Sequence, residues 1–169
     1  MNWQRTLLFA IAGLVATAPI QSAEIGQKLS GCSLTTFSKQ QRPLDMSQFS
    51  GKVLYLDFWA SWCPPCAKSF PFLNRLNQQH HEQDLQIIGI NLDENLADAE
   101  KFLSQFPAEF LVASDLSKQC AEKLGVAAMP SSYLIDRQGV IRHIHLGFRA
   151  DETGELREKV MQLLAEPVL

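Results

Sequence analysis

The residues whose type and spacing can do chemistry are Cys63 and Cys66, separated by Pro64 and Pro65. A dithiol at this spacing can close and reopen a disulfide ring. It can exchange two electrons with another disulfide by thiolate attack through a mixed disulfide. The thiolate is the nucleophile, and a cysteine with its ordinary pKa of about 8.5 is mostly protonated at neutral pH. An apolar run before the motif and an amphipathic stretch after it read as strand, turn and helix. They place Cys63 at a helix N-terminus, where free N–H groups and the helix dipole stabilise negative charge. Cys63 is therefore the expected exposed nucleophile. Cys66, one turn on and on the same side, is the expected resolving thiol. Pro64 and Pro65 carry no N–H, so they reduce the donors available to a Cys63 thiolate. That argues against the most acidic, most oxidising end of the range.

Asp57 is the second informative residue. It interrupts Val53-Leu54-Tyr55-Leu56-Asp57-Phe58-Trp59, a run otherwise apolar on both alternations. Parallel strands buried on both faces read this way. A carboxylate there is costly unless paired or functional, and desolvation raises its pKa. Lying six residues before Cys63, Asp57 can sit beneath the dithiol as a proton acceptor for Cys66. The bland reading is a strand-end residue bonded to backbone.

Other readings compete. A C-x-x-C pair can be half of a zinc site, but Cys32 and Cys120 form no second pair and the histidines at 80, 81, 143 and 145 are scattered. No metal and no cofactor is expected. Cys120 sits on an apolar helical stripe and is most simply a buried thiol, with a disulfide to Cys32 as the alternative. His143 and His145 share one face of a strand, read as solvated. Trp62, Pro64 and Pro65 flank the dithiol as a contact surface.

The elements that must position these residues follow from periodicity. Ser33–Phe37 is a weak strand. The helix after Cys66 turns Ala67, Phe70, Leu73 and Leu76 inward and carries Pro71, which should kink it. A strand covers 85–91. A helix capped by Asn95 or Asp98 buries Leu96, Ala99, Phe102, Leu103 and Phe106, and Pro107 stops it. Phe110-Leu111-Val112 is a short strand. Asp115 or Ser117 caps a helix bearing Leu116, Cys120 and Leu124, ended by Gly125. A hairpin turning at Gln138-Gly139 joins Ser131–Asp136 to Val140–Leu146. A last helix reaches Ala165. This order gives an α/β fold, a mixed sheet with helices on both faces.

The chain of 169 residues, 46% hydrophobic and 20% charged, suits one domain. Met1–Arg5, the apolar Leu7–Ala18 and Gln21-Ser22-Ala23 read as a secretory signal cleaved after Ala23, or as a retained anchor. The domain is then 24–169, with a net charge of −4. No basic run supports nucleic-acid binding. Leu29-Ser30-Gly31-Cys32 resembles a lipobox but lies apart from the apolar stretch. Export implies a disulfide-permissive compartment, the periplasm.

Trp62-Cys63-Pro64-Pro65-Cys66 after Asp57-Phe58-Trp59-Ala60 resembles the thioredoxin superfamily. The Ser47-to-Lys52 lead-in, the insertion with Asn91-Leu92-Asp93-Glu94 and the helix from Leu96 narrow the resemblance. So do Gly125-Val126, Met129-Pro130-Ser131-Ser132, Leu134-Ile135-Asp136 and Gly147-Phe148. Together they are similar to the TlpA/ResA/CcmG branch of exported thiol–disulfide oxidoreductases. The resemblance implies a thioredoxin fold with an N-terminal β extension and an inserted strand and helix. It implies Cys63 as attacking and Cys66 as resolving cysteine, and Pro130 as a cis-proline beside them. The Met129 backbone would pair with a bound client, and Pro71 marks the helix kink. Clients would be disulfide-bonded proteins, and electrons would come from a membrane dithiol donor of the DsbD type. Many members carry Asn where this chain has Asp57, which matches thioredoxin itself and points to a general reductase. Pro64-Pro65 lacks the acidic residue frequent in cytochrome c maturation members, the specialised alternative. A thiol peroxidase would need T-x-x-C where Ser61-Trp62-Cys63 stands, and a copper chaperone would need C-x-x-x-C.

Overall fold

The apolar run becomes the central strand β3 (Val53–Trp59), buried at all seven positions. It is flanked by β4 (Leu85–Asn91), parallel to it, and β6 (Ser131–Ile135), antiparallel to it. In this computed structural model, which describes residues 23–167, a seven-stranded sheet runs β2-β1-β5-β4-β3-β6-β7. Its outer members are β1 (Leu34–Thr36), β2 (Pro43–Leu44), β5 (Leu111–Ser114) and β7 (Ile141–Leu146). The β3, β4 and β5 core is parallel; β1, β2, β6 and β7 add antiparallel pairings. The expected mixed sheet and N-terminal β extension are both present. The expected leader, 1–23, falls almost wholly outside the described residues. Among those described, no helix is long and apolar enough to cross a membrane.

Side chains alternate across a strand, so β3 feeds two cores. Val53, Tyr55 and Trp59 face α1 (Pro64–His80), α4 (Thr153–Ala165) and Phe102 of α2 (Leu96–Gln105). Leu54, Leu56 and Phe58 face α3 (Gln119–Leu124) and the N-terminal segment. Asp57 thus lies on the α1 side. Helix α1 continues through Pro71 and buries Phe70, Phe72, Leu73 and Leu76.

The inserted helix α2 is capped by Asn95, whose side chain accepts from the Ala97 N–H. It packs onto the motif through aromatic contacts, Phe102 tilted against Trp59 and edge-on to Phe70. Trp59 lies 4.9 Å from Phe102 and 5.3 Å from Phe70, and Phe70 lies 5.2 Å from Phe110. Such pairs contribute about 0.5–1.5 kcal/mol each beyond their buried area. Gly89 admits this cluster to the sheet surface: a Cβ there would come within 2.8 Å of Phe110 and 3.2 Å of the Trp59 indole nitrogen.

Some expectations are corrected. Strand β5 begins at Leu111, because Phe110 turns inward to the aromatic cluster. Phe106 lies just beyond α2 and is 37% exposed. Helix α3 is shorter than the pattern suggests. Lys118, in the left-handed region, precedes it, and Leu116 is left outside and exposed. Asp115 still serves this helix, its Oδ2 accepting from the Ala121 N–H. Cys120 is no free thiol. It is disulfide-bonded to Cys32 across 88 residues, which also uses the sulfur a lipobox would acylate. Just before Cys32, residues 26–29 lie along the start of β7: the Gly26 N–H donates to Ile141 O, and the Ile141 N–H donates to Gln27 O.

Candidate active site

β3 ends at Trp59, and a short loop turns its chain into α1. Cys63 is the N-cap of that helix in extended conformation. Pro64 and Pro65 occupy the first helical turn, so the Cys66 N–H is the first backbone donor after the cap. It donates to Cys63 Sγ at 3.2 Å and to Cys63 O at 3.0 Å. The two sulfurs are joined as a disulfide. The ring is set deep: Cys66 is fully buried and Cys63 only 4% exposed. This corrects the expectation of an exposed Cys63. The exposed neighbours are Trp62 (68%), Pro64 and Pro65. A groove of about 390 Å³ opens beside Cys63, bounded by Trp62, Pro64 and Ala67 on one side and Phe102 and Phe106 on the other. A larger groove of about 1050 Å³ lies between residues 27–30 and α3, and neither Cys63 nor Cys66 lines it.

The loop entering Cys63 is clamped from β4. The Ser61 N–H donates to Asp93 Oδ2 and the Ser61 hydroxyl to Asp93 Oδ1, both at 2.9 Å. Asn91 Nδ2 donates to the same Oδ2 at 2.7 Å, and the Asp93 N–H returns a bond to Asn91 Oδ1. Leu92 N–H to Trp59 O extends the β3–β4 pairing to the loop.

Beneath the helix, Asp57 is buried in mid-strand, not at a strand end. Its Oδ1 accepts from the Ser132 hydroxyl at 2.7 Å. Burial pushes its carboxyl up to about 7, the Ser132 bond opposing the rise. Burial, then the Asp57 charge, also raises the Tyr55 phenol. Pro130 follows a cis peptide bond from Met129, and its carbonyl accepts from the Gly147 N–H at the end of β7. Met129 is half-buried and touches both cores.

The family profile described as Redoxin matches residues 24–160. The chain belongs to the Redoxin family. Within it, the chain is 30% identical to the thiol-disulfide oxidoreductase ResA of Bacillus thuringiensis subsp. konkukian over 143 residues, 84% of this chain and 79% of that one. It is similar to a crystal structure from Chlorobium tepidum, described as a thiol:disulfide interchange protein DsbE. That likeness has a TM-score of 0.79 and 40% identity, covering 85% of this chain and all of that one. A Bacteroides thetaiotaomicron structure described as a protein disulfide isomerase gives a TM-score of 0.74 at 27% identity, covering 85% and 91%. This Redoxin-family chain is a thiol–disulfide oxidoreductase of the TlpA/ResA/CcmG-like branch, with a thioredoxin fold.

Several residues singled out in the sequence come together in the Redoxin fold: Cys63 at the cap of α1 and Cys66 in its first turn, Trp62 in the loop before it, and Asp57 on the β3 face that α1 covers. The histidine pair is corrected. His143 and His145 stack at 6.3 Å and are half-buried, with His145 Nε2 3.2 Å from Glu152 Oε2. Burial, then Lys159 and His145, lower the His143 imidazole. No cluster of metal-ligating side chains occurs among the described residues. Sequence reading assigned no role to Asp93, Ser61 or Ser132. Asn91-x-Asp93 just past a buried strand was the available signal for the clamp. Ser132 meets Asp57 only through the β3–β6 register, which has no sequence mark.

Proposed function

We propose that this oxidoreductase is an exported reductase of protein disulfides working through Cys63 and Cys66. The observation that carries this reading is the placement of Cys63 Sγ at the α1 N-terminus, where it accepts the Cys66 N–H. Partial positive charge there favours a thiolate. A single donor after two prolines favours a moderate, reductase-like acidity.

In the forward reaction the Cys63 thiolate attacks one sulfur of the client disulfide. A Cys63–client disulfide forms and the other client sulfur leaves as a thiolate. Asp57 takes the proton from Cys66 Sγ. The Cys66 thiolate attacks Cys63 Sγ, closing the Cys63–Cys66 bond and releasing the second client thiolate. The client gains two electrons and the dithiol loses two. The acceptor role of Asp57 is supported by its burial on the α1 face and by a carboxyl that titrates near neutrality. Trp62, Pro64 and Pro65 offer apolar contact to the client beside the groove. Met129 and Pro130 supply its backbone contact.

Residues 1–23 act as the export signal and 24–169 as the periplasmic domain. A membrane dithiol donor of the DsbD type reverses the cycle to regenerate the reduced form. The test is insulin reduction by the protein with dithiothreitol. Cys63→Ser is expected to abolish it, and full activity in that variant would sink the reading. A Cys63–Cys66 potential near about −270 mV supports a reductase, whereas one near about −120 mV makes the protein an oxidant.

A further inference from the structure

The two oxygens of Asp57 are not equivalent. Oδ1 accepts the Ser132 hydroxyl at 2.7 Å. Oδ2 is fully buried and has no hydrogen-bond partner among the described residues. An unpartnered buried oxygen is costly, and each such exception calls for an explanation, a catalytic role among them. The pairing is built into the sheet: Ser132 stands directly opposite Asp57 in the β3–β6 register. Both are therefore on the face covered by α1.

We propose that Ser132 is a positioning residue for dithiol exchange: by holding Oδ1 it fixes the Asp57 carboxyl group and leaves Oδ2 as the oxygen that takes the Cys66 proton. This rests on the reading of Asp57 as proton acceptor. An aspartate carboxyl turns broadly about its last torsion, so an unheld group would spread its basic lone pairs over many directions. With Oδ1 already accepting a hydrogen bond, the proton adds to Oδ2. Ser132 loses nothing in the step, because its hydroxyl donates to Oδ1 before and after.

The groups facing Asp57 are few. On β3 the neighbours on the same face are Tyr55, whose phenol stays protonated, and Trp59, which has no titratable group. Across β4 stands Gly89, without a side chain. On β7, beyond Ser132, is His145, engaged with Glu152. The buried residues of α1 are the cysteine, Ser69 and apolar side chains, and those of α4 are Leu156, Val160 and Leu163.

The experiment mixes protein reduced at Cys63–Cys66, with the Cys32–Cys120 disulfide intact, with excess 5,5′-dithiobis(2-nitrobenzoate) across about pH 5 to 9. The first thionitrobenzoate reports Cys63 attack and the second reports resolution by Cys66. The wild type is expected to show an inflection in the second phase near neutrality. Asp57→Asn is expected to lose it. In Ser132→Ala the hydrogen bond favouring the carboxylate is gone, so the inflection moves up by about one pH unit. Resolution below neutrality then slows about tenfold while the first phase is unchanged. Ser132→Thr keeps a hydroxyl and the wild-type profile, whereas Ser132→Val, isosteric with the threonine variant, behaves as Ser132→Ala; this pair decides the matter if the alanine variant folds poorly. If Asp57→Asn retains the inflection, the reading of Asp57 fails and the proposal with it. If Asp57→Asn loses it but Ser132→Ala and Ser132→Val keep the wild-type profile, Asp57 stands and Ser132 is overturned. A Ser132→Thr profile shifted like that of Ser132→Val overturns it also.

Discussion

Ser61 gives both of its donors to one side chain: its N–H and its hydroxyl reach the two carboxylate oxygens of Asp93 at 2.9 Å each. Since Ser61 stands two residues before Cys63, the end of β4 sets where α1 begins. Asp93→Ala leaves three donors, from Ser61 and Asn91, without their acceptor in a region that is only 5% exposed at Asp93. The variant is expected to lose about 2–4 kcal/mol of stability in urea unfolding. Its dithiol exchange should slow as well, because a displaced loop moves the helix cap. Unaltered stability would show that Asp93 is not the clamp.

Asp57→Asn should make the protein more stable, with a definite pH dependence. The folded carboxyl titrates at about 7 against 3.8 unfolded. Below the unfolded value both states are protonated and the penalty is nil. Between about 4 and 7 the unfolded chain releases its proton while the folded chain keeps it, so wild-type stability falls as pH rises and levels off above about 7. Thermal unfolding at pH 8 is expected to favour Asn by a few kcal/mol, on the order of 1.4 kcal/mol per pKa unit. The advantage should vanish near pH 3.

Replacing the second disulfide separates structure from chemistry. Cys32–Cys120 spans 88 residues, and closing a loop of that length stabilises by about 4.6 kcal/mol in the chain-entropy account. The double variant Cys32→Ser, Cys120→Ala should lose stability on that scale in denaturant while keeping insulin reduction in native buffer. Loss of reduction without loss of stability would give this pair a redox role.

Gly89→Ala tests the aromatic bridge to the inserted helix. The added methyl must displace Phe110 or Trp59, at a cost of about 1–3 kcal/mol. Tryptophan fluorescence should change with it, because Trp59 is fully buried against Phe102.

What was legible in the sequence was periodic or local. Val53–Trp59 announces a buried strand by composition, and Cys63-Pro64 announces a helix start by its cap and proline. Asp57 stands out because its neighbours are apolar. Long-range pairings were less legible. The Asp57–Ser132 bond depends on a register between residues 75 apart, and Cys32 and Cys120 meet only after the sheet is assembled. Depth was misread at Cys63, because a reactive type does not reveal how far the Trp62 loop and α1 enclose it. Alternation alone reads His143 and His145 as solvated, while Glu152, which pairs with His145, comes from the turn just before the last helix.

The sheet is closed at its two margins by different means. At one side the last strand is Pro43–Leu44, two residues long, with a proline that cannot donate. At the other, residues 26–29 lie against the start of β7, whose remaining length carries Arg142, His143 and His145. Short, proline-bearing or charged borders resist pairing with another chain. Any polypeptide with unpaired backbone that meets these borders finds no long free strand edge to extend. With both borders guarded, the sheet makes a poor template for a growing β-stack.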